Sequence, residues 1–207
     1  PESCRASESA FASRLTPTFG MRSPVGASLL AMGCAAAPLH GVYSANPNCP
    51  RIPTMKQTPN DLEQITATTL GHYNSVAEDF REGTRDHDVS QNIDALLRHI
   101  QGSAPFTILD FGCGPGRDLQ TFTRMGHIAV GLDGSQEFAR MAREDSGCEV
   151  LQQDFLKLDL PAERFDGIFA NAVLFHVPLQ ELPRVLEQLH GTLKPGGVLF
   201  SSNPRGD

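Results

Sequence analysis

The sequence predicts an α/β protein: a doubly wound, mostly parallel sheet with helices on both faces. Three observations lead there. From Phe106 onward, short apolar runs alternate with amphipathic stretches, the pattern of strand–helix crossovers. The runs are apolar throughout rather than alternating, as strands covered on both faces are. The first of them passes into Gly112-Cys-Gly-Pro-Gly116, with glycines at alternate positions before a helix begins. Such a turn lets backbone approach a ligand that side chains at Gly112, Gly114 and Gly116 would block.

Each element follows from local pattern. Asn60 or Asp61 caps a first helix that runs to Leu70, where Gly71 stops it. A second stretch, His72 to Arg81, carries Tyr73, Val76, Ala77 and Phe80 at helical spacing. After a polar link, Asp88 and Gln91 read as a capping box for a helix with Ile93, Leu96, Leu97 and Ile100 on one face, closed by Gly102. Phe106–Phe111 is the first buried strand, Arg117–Met125 a helix stopped at Gly126, and Ile128–Leu132 a strand leading into Asp133. Ser135–Glu144 is a helix, Glu149–Gln153 a strand before Asp154, and Phe165–Ala170 a strand reaching Asn171. Leu179–Leu193 closes the helices, Lys194–Gly197 turns, and Val198–Ser202 is the fifth strand of the series. Crossovers between parallel strands are expected to be right-handed.

A chain of 207 residues, 40% hydrophobic and 20% charged, has the make-up of one globular domain with an appendage. The appendage is the beginning. Between Ser9 and Asn60 there is no Asp or Glu, and Ser, Ala, Pro and scattered Arg dominate, as in an organellar transit peptide; Val25–Ala37 has the character of a short signal segment. The favoured expectation is that residues 1–54 are a disordered or non-native leader, with Met55 opening the patterned sequence. Residues 55–104 then form a helical cap and 105–207 the α/β core. From residue 61 on there are 22 acids against 12 Lys and Arg, a balance that repels phosphate backbones and argues against nucleic acid. No apolar run reaches the roughly 18 residues of a membrane span. Five cysteines without a C-x-x-C pair fit free thiols in a reducing compartment. A cytoplasmic location is expected, with organellar import if the leader is a transit peptide.

Ligands of open α/β sheets sit beyond the carboxyl ends of the strands. Four consecutive ends here carry the glycine turn, Asp133, Asp154 and Asn171. Asp133 stands where an acid accepts ribose hydroxyls, and Asp154 where a carboxylate takes a purine amine. Together they outline a slot for a nucleoside. A dinucleotide is the rival, but its fingerprint needs Gly or Ala at position 117, where this chain has Arg117. Asp110, just before the turn, suits an ammonium or sulfonium better than a pyrophosphate.

The stretches ILDFGCGPG, AVGLDGS, VLQQDF, FDGIFANAVLFHVP and LKPGGVLF, in this order over residues 106–202, resemble the class I S-adenosylmethionine-dependent methyltransferases. The resemblance implies that family's Rossmann-like sheet and S-adenosyl-L-methionine as cofactor. By position it also implies Gly112 and Gly114 with Asp110 at the methionyl portion, Gly116 as a further cofactor-binding glycine, Asp133 at the ribose, Asp154 and Phe155 at the adenine, and Asn171 near the sulfonium. Tyr73 is similar to the N-terminal tyrosine that caps the cofactor in small-molecule members. A finer resemblance, on HYNSVAEDFREGTRDHDVSQNIDALL and HVPLQELPRVLEQLHGTLKPGGVLFSSNPRG, is to the ovothiol-biosynthesis methyltransferase that methylates a ring nitrogen of a thiohistidine. It implies a small, amino-acid-like acceptor. Against the family pattern, two closing strands are expected to be missing after the fifth, leaving that strand an exposed edge. The alternative function is therefore a truncated, non-catalytic nucleoside-binding remnant.

His176 is the one candidate for a catalytic group, although a histidine on an apolar stretch is more often packed than reactive. Asp86-His87-Asp88 resembles a metal trio, but consecutive residues on a short link rarely converge and Asp88 is explained as a cap, so no metal is expected.

Overall fold

The computed structural model describes residues 26–31 and 56–203. In chain order these form β1 (Gly26–Ala31), α1 (Pro59–Ser75), α2 (Ala77–Thr84), α3 (Ser90–Leu97), β2 (Thr107–Phe111), α4 (Arg117–Arg124), β3 (Ile128–Asp133), α5 (Gln136–Ser146), β4 (Glu149–Gln152), β5 (Phe165–Asn171), α6 (Leu182–Thr192) and β6 (Leu193–Asn203). The strands make one six-stranded sheet in the order β1-β6-β5-β2-β3-β4. Strands β2 to β6 are parallel, giving the five-strand parallel core expected from the sequence.

Two faces of the sheet are buried, and neighbouring residues of a strand divide between them. Leu109, Phe111, Leu132, Ile168 and Leu199 point to one layer, where Val185 and Leu189 of α6 close over them. Ile108, Phe169 and Phe200 point to the other, against Ile93 and Leu96 of α3 and Leu119 and Phe122 of α4. Each such side chain, fully withdrawn from water, contributes about 1.5–3 kcal/mol. This two-sided burial accounts for the unbroken apolar runs, and it fixes the strand tips in a row above one edge of the core.

The cap helices depart from the sequence reading in instructive ways. Helix α1 does not stop at Gly71 but continues to Ser75, so Tyr73 sits in its last turn. No neighbouring atom lies within 4 Å of a Cβ built on Gly71, so that position faces open space. The start is fixed two or three residues earlier than expected: Thr58 accepts the Asp61 N–H at 3.2 Å while Asp61 Oδ2 accepts the Thr58 N–H at 2.8 Å, with Pro59 in the first turn. The expected Asp88–Gln91 capping box is replaced by a local turn in which Asp88 Oδ1 accepts the Ser90 N–H at 2.9 Å. Helix α1 is then clamped across the top of the sheet. Gln57 and Gln180 exchange two hydrogen bonds at one end, and at the other Asn74 Oδ1 accepts from Ser135 Oγ at 2.7 Å.

The edge of β6, expected to be bare, pairs antiparallel with β1 from Gly26↔Asn203 to Ala31↔Val198. Part of the segment expected to be a structureless leader thus belongs to the sheet. The remaining leader calls, including the transit-peptide reading and Met55 as a start, lie outside the described residues. Among the described residues no helix is long and apolar enough to cross a membrane.

Candidate functional site

Above the tips of β2 to β6 and beneath α1 and α2 lies a cavity of about 370 Å³. The residues singled out in the sequence fall around it: Tyr73, Gly112, Gly114, Asp133, Asp154, Phe155, Asn171 and His176 all line it. Two do not. Asp110 is buried beneath the glycine turn, and Gly116 lies behind it at the start of α4.

The three glycines serve different ends. A Cβ on Gly112, whose φ is +77°, would come within 2.3 Å of Val173 Cγ2. One on Gly116, at φ +93°, would meet the Ala142 Cα of α5 at 2.8 Å. At both positions protein stands where a Cβ would be and φ is left-handed, and Gly112 also lines the cavity with its backbone, whereas Gly116 does not. Gly114 alone leaves the cavity side free, its nearest neighbour being the Phe80 ring at 3.8 Å from a built Cβ.

Asp133 ties the second strand tip to the first. Its carboxylate accepts the Gly114 N–H at 3.0 Å and the Ser135 N–H at 2.8 Å. Burial lifts its pKa from 3.8 to about 6, with the backbone N–H groups of Ser135, Gly114 and Gly134 acting in the opposite direction. Asp110 has an Oδ2 that is buried without any hydrogen-bond partner. Burial first, and then the Asp118 charge, push its carboxyl well above the usual range, against the pull of Arg117. A buried, unpartnered carboxyl directly below the turn is a standing demand for a cation or a donor.

Arg117 occupies the place where a dinucleotide fold needs a small residue. Its guanidinium holds both Asp118 oxygens, at 2.7 and 2.9 Å, and donates to the Thr84 carbonyl at 2.9 Å, locking the end of α2 to α4. Around the cavity Asp88, Asp118, Asp133 and Asp154 stand against Arg117 alone, a field that favours a cationic ligand. At the third tip Asp154 Oδ1 accepts the Leu156 N–H at 2.9 Å, and Phe155 packs on Phe111 with ring centroids 4.5 Å apart.

The roof is aromatic. Tyr73, Phe80 and Phe138 pack together, with centroid separations of 5.8, 5.5 and 5.1 Å. The Tyr73 hydroxyl lies 3.0 Å from His176 Nε2. Burial lowers the His176 pKa and, together with Asp133, raises that of Tyr73. At neutral pH phenol and imidazole are therefore both uncharged, and they share one hydrogen bond. His176 is both packed, as the bland expectation had it, and on the cavity wall.

Sequence reasoning passed over Asn92 and Ser202, which also line the cavity and both hydrogen-bond to Asn171. Ser202 stands at the tip of β6, so the rule that strand ends carry function would have found it. Asn92 is a polar residue beside Ile93 on the apolar face of α3, a signal of the same kind. Among the described residues no group of three or more His, Cys, Asp or Glu is placed to hold a metal.

Residues 109–201 match the model of the family described as "Methyltransferase domain". The chain is 29% identical over 131 residues to a sterol 24-C-methyltransferase of Debaryomyces hansenii, covering 59% of this chain and 33% of that protein. It is 37% identical over 116 residues to a trans-aconitate 2-methyltransferase of Azoarcus sp., covering 53% and 44%. It thus spans less than half the length of either relative. Among solved structures, 1,6-didemethyltoxoflavin-N1-methyltransferase of Burkholderia thailandensis with bound S-adenosylhomocysteine superposes with a TM-score of 0.56 at 24% identity, over 70% of this chain and 63% of that one. A structure described as a DhpI-SAH complex gives 0.54 at 25% identity, over 66% and 68%. The fold is the Rossmann-like fold of class I methyltransferases.

Proposed function

We propose that this chain, built on an S-adenosylmethionine-dependent methyltransferase domain, methylates a small nitrogen-bearing molecule, with a thiohistidine ring nitrogen as the favoured acceptor. The observation that carries the reading is one cavity over five neighbouring strand tips, lined by Asp88, Asp118, Asp133 and Asp154 against Arg117.

The residues present fit the cofactor. Asp133 would accept its ribose hydroxyls, Asp154 and Phe155 would flank the adenine, and Gly114 would leave room for the chain between them. Asp110 would answer its cationic methionyl end, since a positive charge nearby lowers a buried carboxyl's pKa and removes the cost of its ionisation. Once bound, the cofactor supplies a methyl group already activated by a sulfonium. The protein's task is then alignment and exclusion of water. Tyr73, Phe80 and Phe138 would form the dry roof, and the Tyr73 hydroxyl fixes the His176 ring on the cavity wall.

The acceptor assignment rests on the resemblance to the thiohistidine N-methyltransferases and on size. A volume of about 370 Å³ is near the lower bound of pockets that bury one drug-sized ligand, so little space remains beside a nucleoside donor. A compact polar acceptor suits that remainder better than a four-ring sterol. Calorimetric titration with S-adenosylhomocysteine, followed by radiolabelled methyl transfer to thiohistidine, histidine, trans-aconitate and a sterol, tests both parts. Absence of S-adenosylhomocysteine binding would remove the donor reading. Binding without turnover of any acceptor would select the non-catalytic alternative.

A further inference from the structure

We infer that the amino-terminal part of α1, residues 59–70, is a flap hinged at Gly71 and latched by Gln57 and Gln180, and that the adenosyl donor is exchanged beneath it. The inference rests on the methyltransferase reading and deepens it by naming the route to the adenine end of the site.

Helix α1 rests on space. Leu62, Ile65, Thr66, Thr69, Leu70 and Tyr73 recur at helical spacing and form its inward face, the stripe that a surface helix buries against a core. Yet none of its 17 residues is buried. Ile65, Thr69 and Tyr73 line the large cavity, and Leu62 lines a second one of about 150 Å³ between α1 and the segment after β4. Thr66, Asp154 and Leu156 belong to both cavities and so stand between them. Two of the three are fixed from below: Asp154 Oδ1 accepts the Leu156 N–H at 2.9 Å, and Arg184 of α6 donates to the Leu156 carbonyl at 2.9 Å. Lifting Thr66 with its helix would therefore join the two cavities beside Asp154, where the adenine would lie.

The two ends of α1 are held unequally. Beyond Gly71, Tyr73 packs among Phe80, Phe138 and His176, and Asn74 Oδ1 accepts from Ser135 Oγ at 2.7 Å and from the Glu137 N–H at 3.3 Å. Before Gly71 the polar ties lie at the surface. They are the Gln57–Gln180 pair, at 2.8 and 3.1 Å, and Lys157 Nζ, 3.6 Å from Glu63 Oε1. Exposed ties of this kind are individually weak. Gly71 stands at the boundary. Glycine inside a helix weakens it relative to alanine, and no neighbour within 4 Å of a built Cβ requires one here. A hinge accounts for what packing does not, since glycine lets a helix bend at least cost.

The test is the release rate of tritiated S-adenosylhomocysteine from the full chain, chased with excess unlabelled compound. Gln180→Ala unfastens the latch and should speed release about threefold to tenfold. Gly71→Ala stiffens the hinge and should slow release about two- to fivefold, the equivalent of the helix-propensity difference. Gln91→Ala, on the exposed rim at the α3 end of the large cavity, should leave the rate within about twofold. Thermal melts establish folding, and Lys157→Ala takes the place of Gln180→Ala if that variant does not fold. Opposite shifts in the latch and hinge variants are the expected result. Release unchanged in both, shifted the same way in both, or accelerated as much by Gln91→Ala would overturn the flap while leaving the donor reading intact. Failure of the wild type to bind S-adenosylhomocysteine would take down both.

Discussion

Replacing Asp133 by Asn keeps the shape of the side chain and removes its charge, which makes it the most informative change at the donor end. In the folded chain the carboxyl titrates near 6 against an ordinary value of 3.8. Between those two values the unfolded chain has released its proton and the folded chain has kept it. Stability from this group is therefore full below about pH 4 and declines as pH rises through 6, by about 3 kcal/mol in all at ~1.4 kcal/mol per unit. Donor affinity should run the other way, because the ionised carboxylate is the better acceptor for two ribose hydroxyls. At pH 5 about nine-tenths of the group is protonated, so S-adenosylhomocysteine should bind roughly tenfold more weakly than at pH 8. Hydrogen bonds to a charged acceptor are worth about 1.5–3 kcal/mol each and neutral ones about 0.5–1.5. Asp133→Asn should then cost about 2–3 kcal/mol, on the order of 50-fold in Kd at pH 8, and should flatten the pH profile. Calorimetry at pH 5, 6, 7 and 8, with thermal melts to establish folding, measures all of this. A variant within threefold of wild type at pH 8, or a wild-type affinity independent of pH over that range, would refute the reasoning.

Other positions give independent checks. Gly71→Ala should raise stability by about 0.5–1 kcal/mol, since Gly71 lies inside α1 and its Cβ would face open space; a fall in Tm would mean the helix ends there instead. Gly112→Ala should cost about 3 kcal/mol through left-handed strain and the Val173 contact, or roughly 6–12 °C in Tm, with part recovered by adding Val173→Ala; a lack of rescue would separate strain from crowding. Deleting residues 1–31 removes β1 and bares the β6 edge, so sedimentation should reveal concentration-dependent self-association that the full chain lacks. A strictly monomeric deletion would count against a protective role for β1.

The sheet was legible in the sequence because its code is redundant. Apolar runs, helix stops and polar strand ends all named the same five strands, and the boundaries of β2, β3 and β5 moved by a residue at most. The cap was less legible. Gly71 carries the helix breaker's propensity, but with Leu70 packed on Gly134 and Asn74 bonded to Ser135, tertiary contacts on both sides hold the helix through it. The glycine turn was located correctly and explained too simply, since whether a missing Cβ makes room for ligand or for Val173 is a fact about distant residues. Asn92 and Ser202 escaped for a related reason. Their role exists only where α3, β5 and β6 converge, and no local spacing encodes that meeting. The β1 pairing is the extreme case, because a short Gly-Ala-Ser-Leu-Leu-Ala segment carries no sign of its partner.

That pairing has a kinetic consequence. Gly26 meets Asn203, so the antiparallel edge closes only after nearly the whole described chain has been synthesised. Contacts so distant along the chain raise the contact order and slow folding, because loop-closure entropy is spent before any ladder bond rewards it. During translation the nascent sheet would grow with one flank unzipped, and β1 would wait as a free ribbon until its docking site left the ribosome. Closing this edge would then join an early segment to a late one, a latch that seals the flank of the sheet after its parallel core has formed.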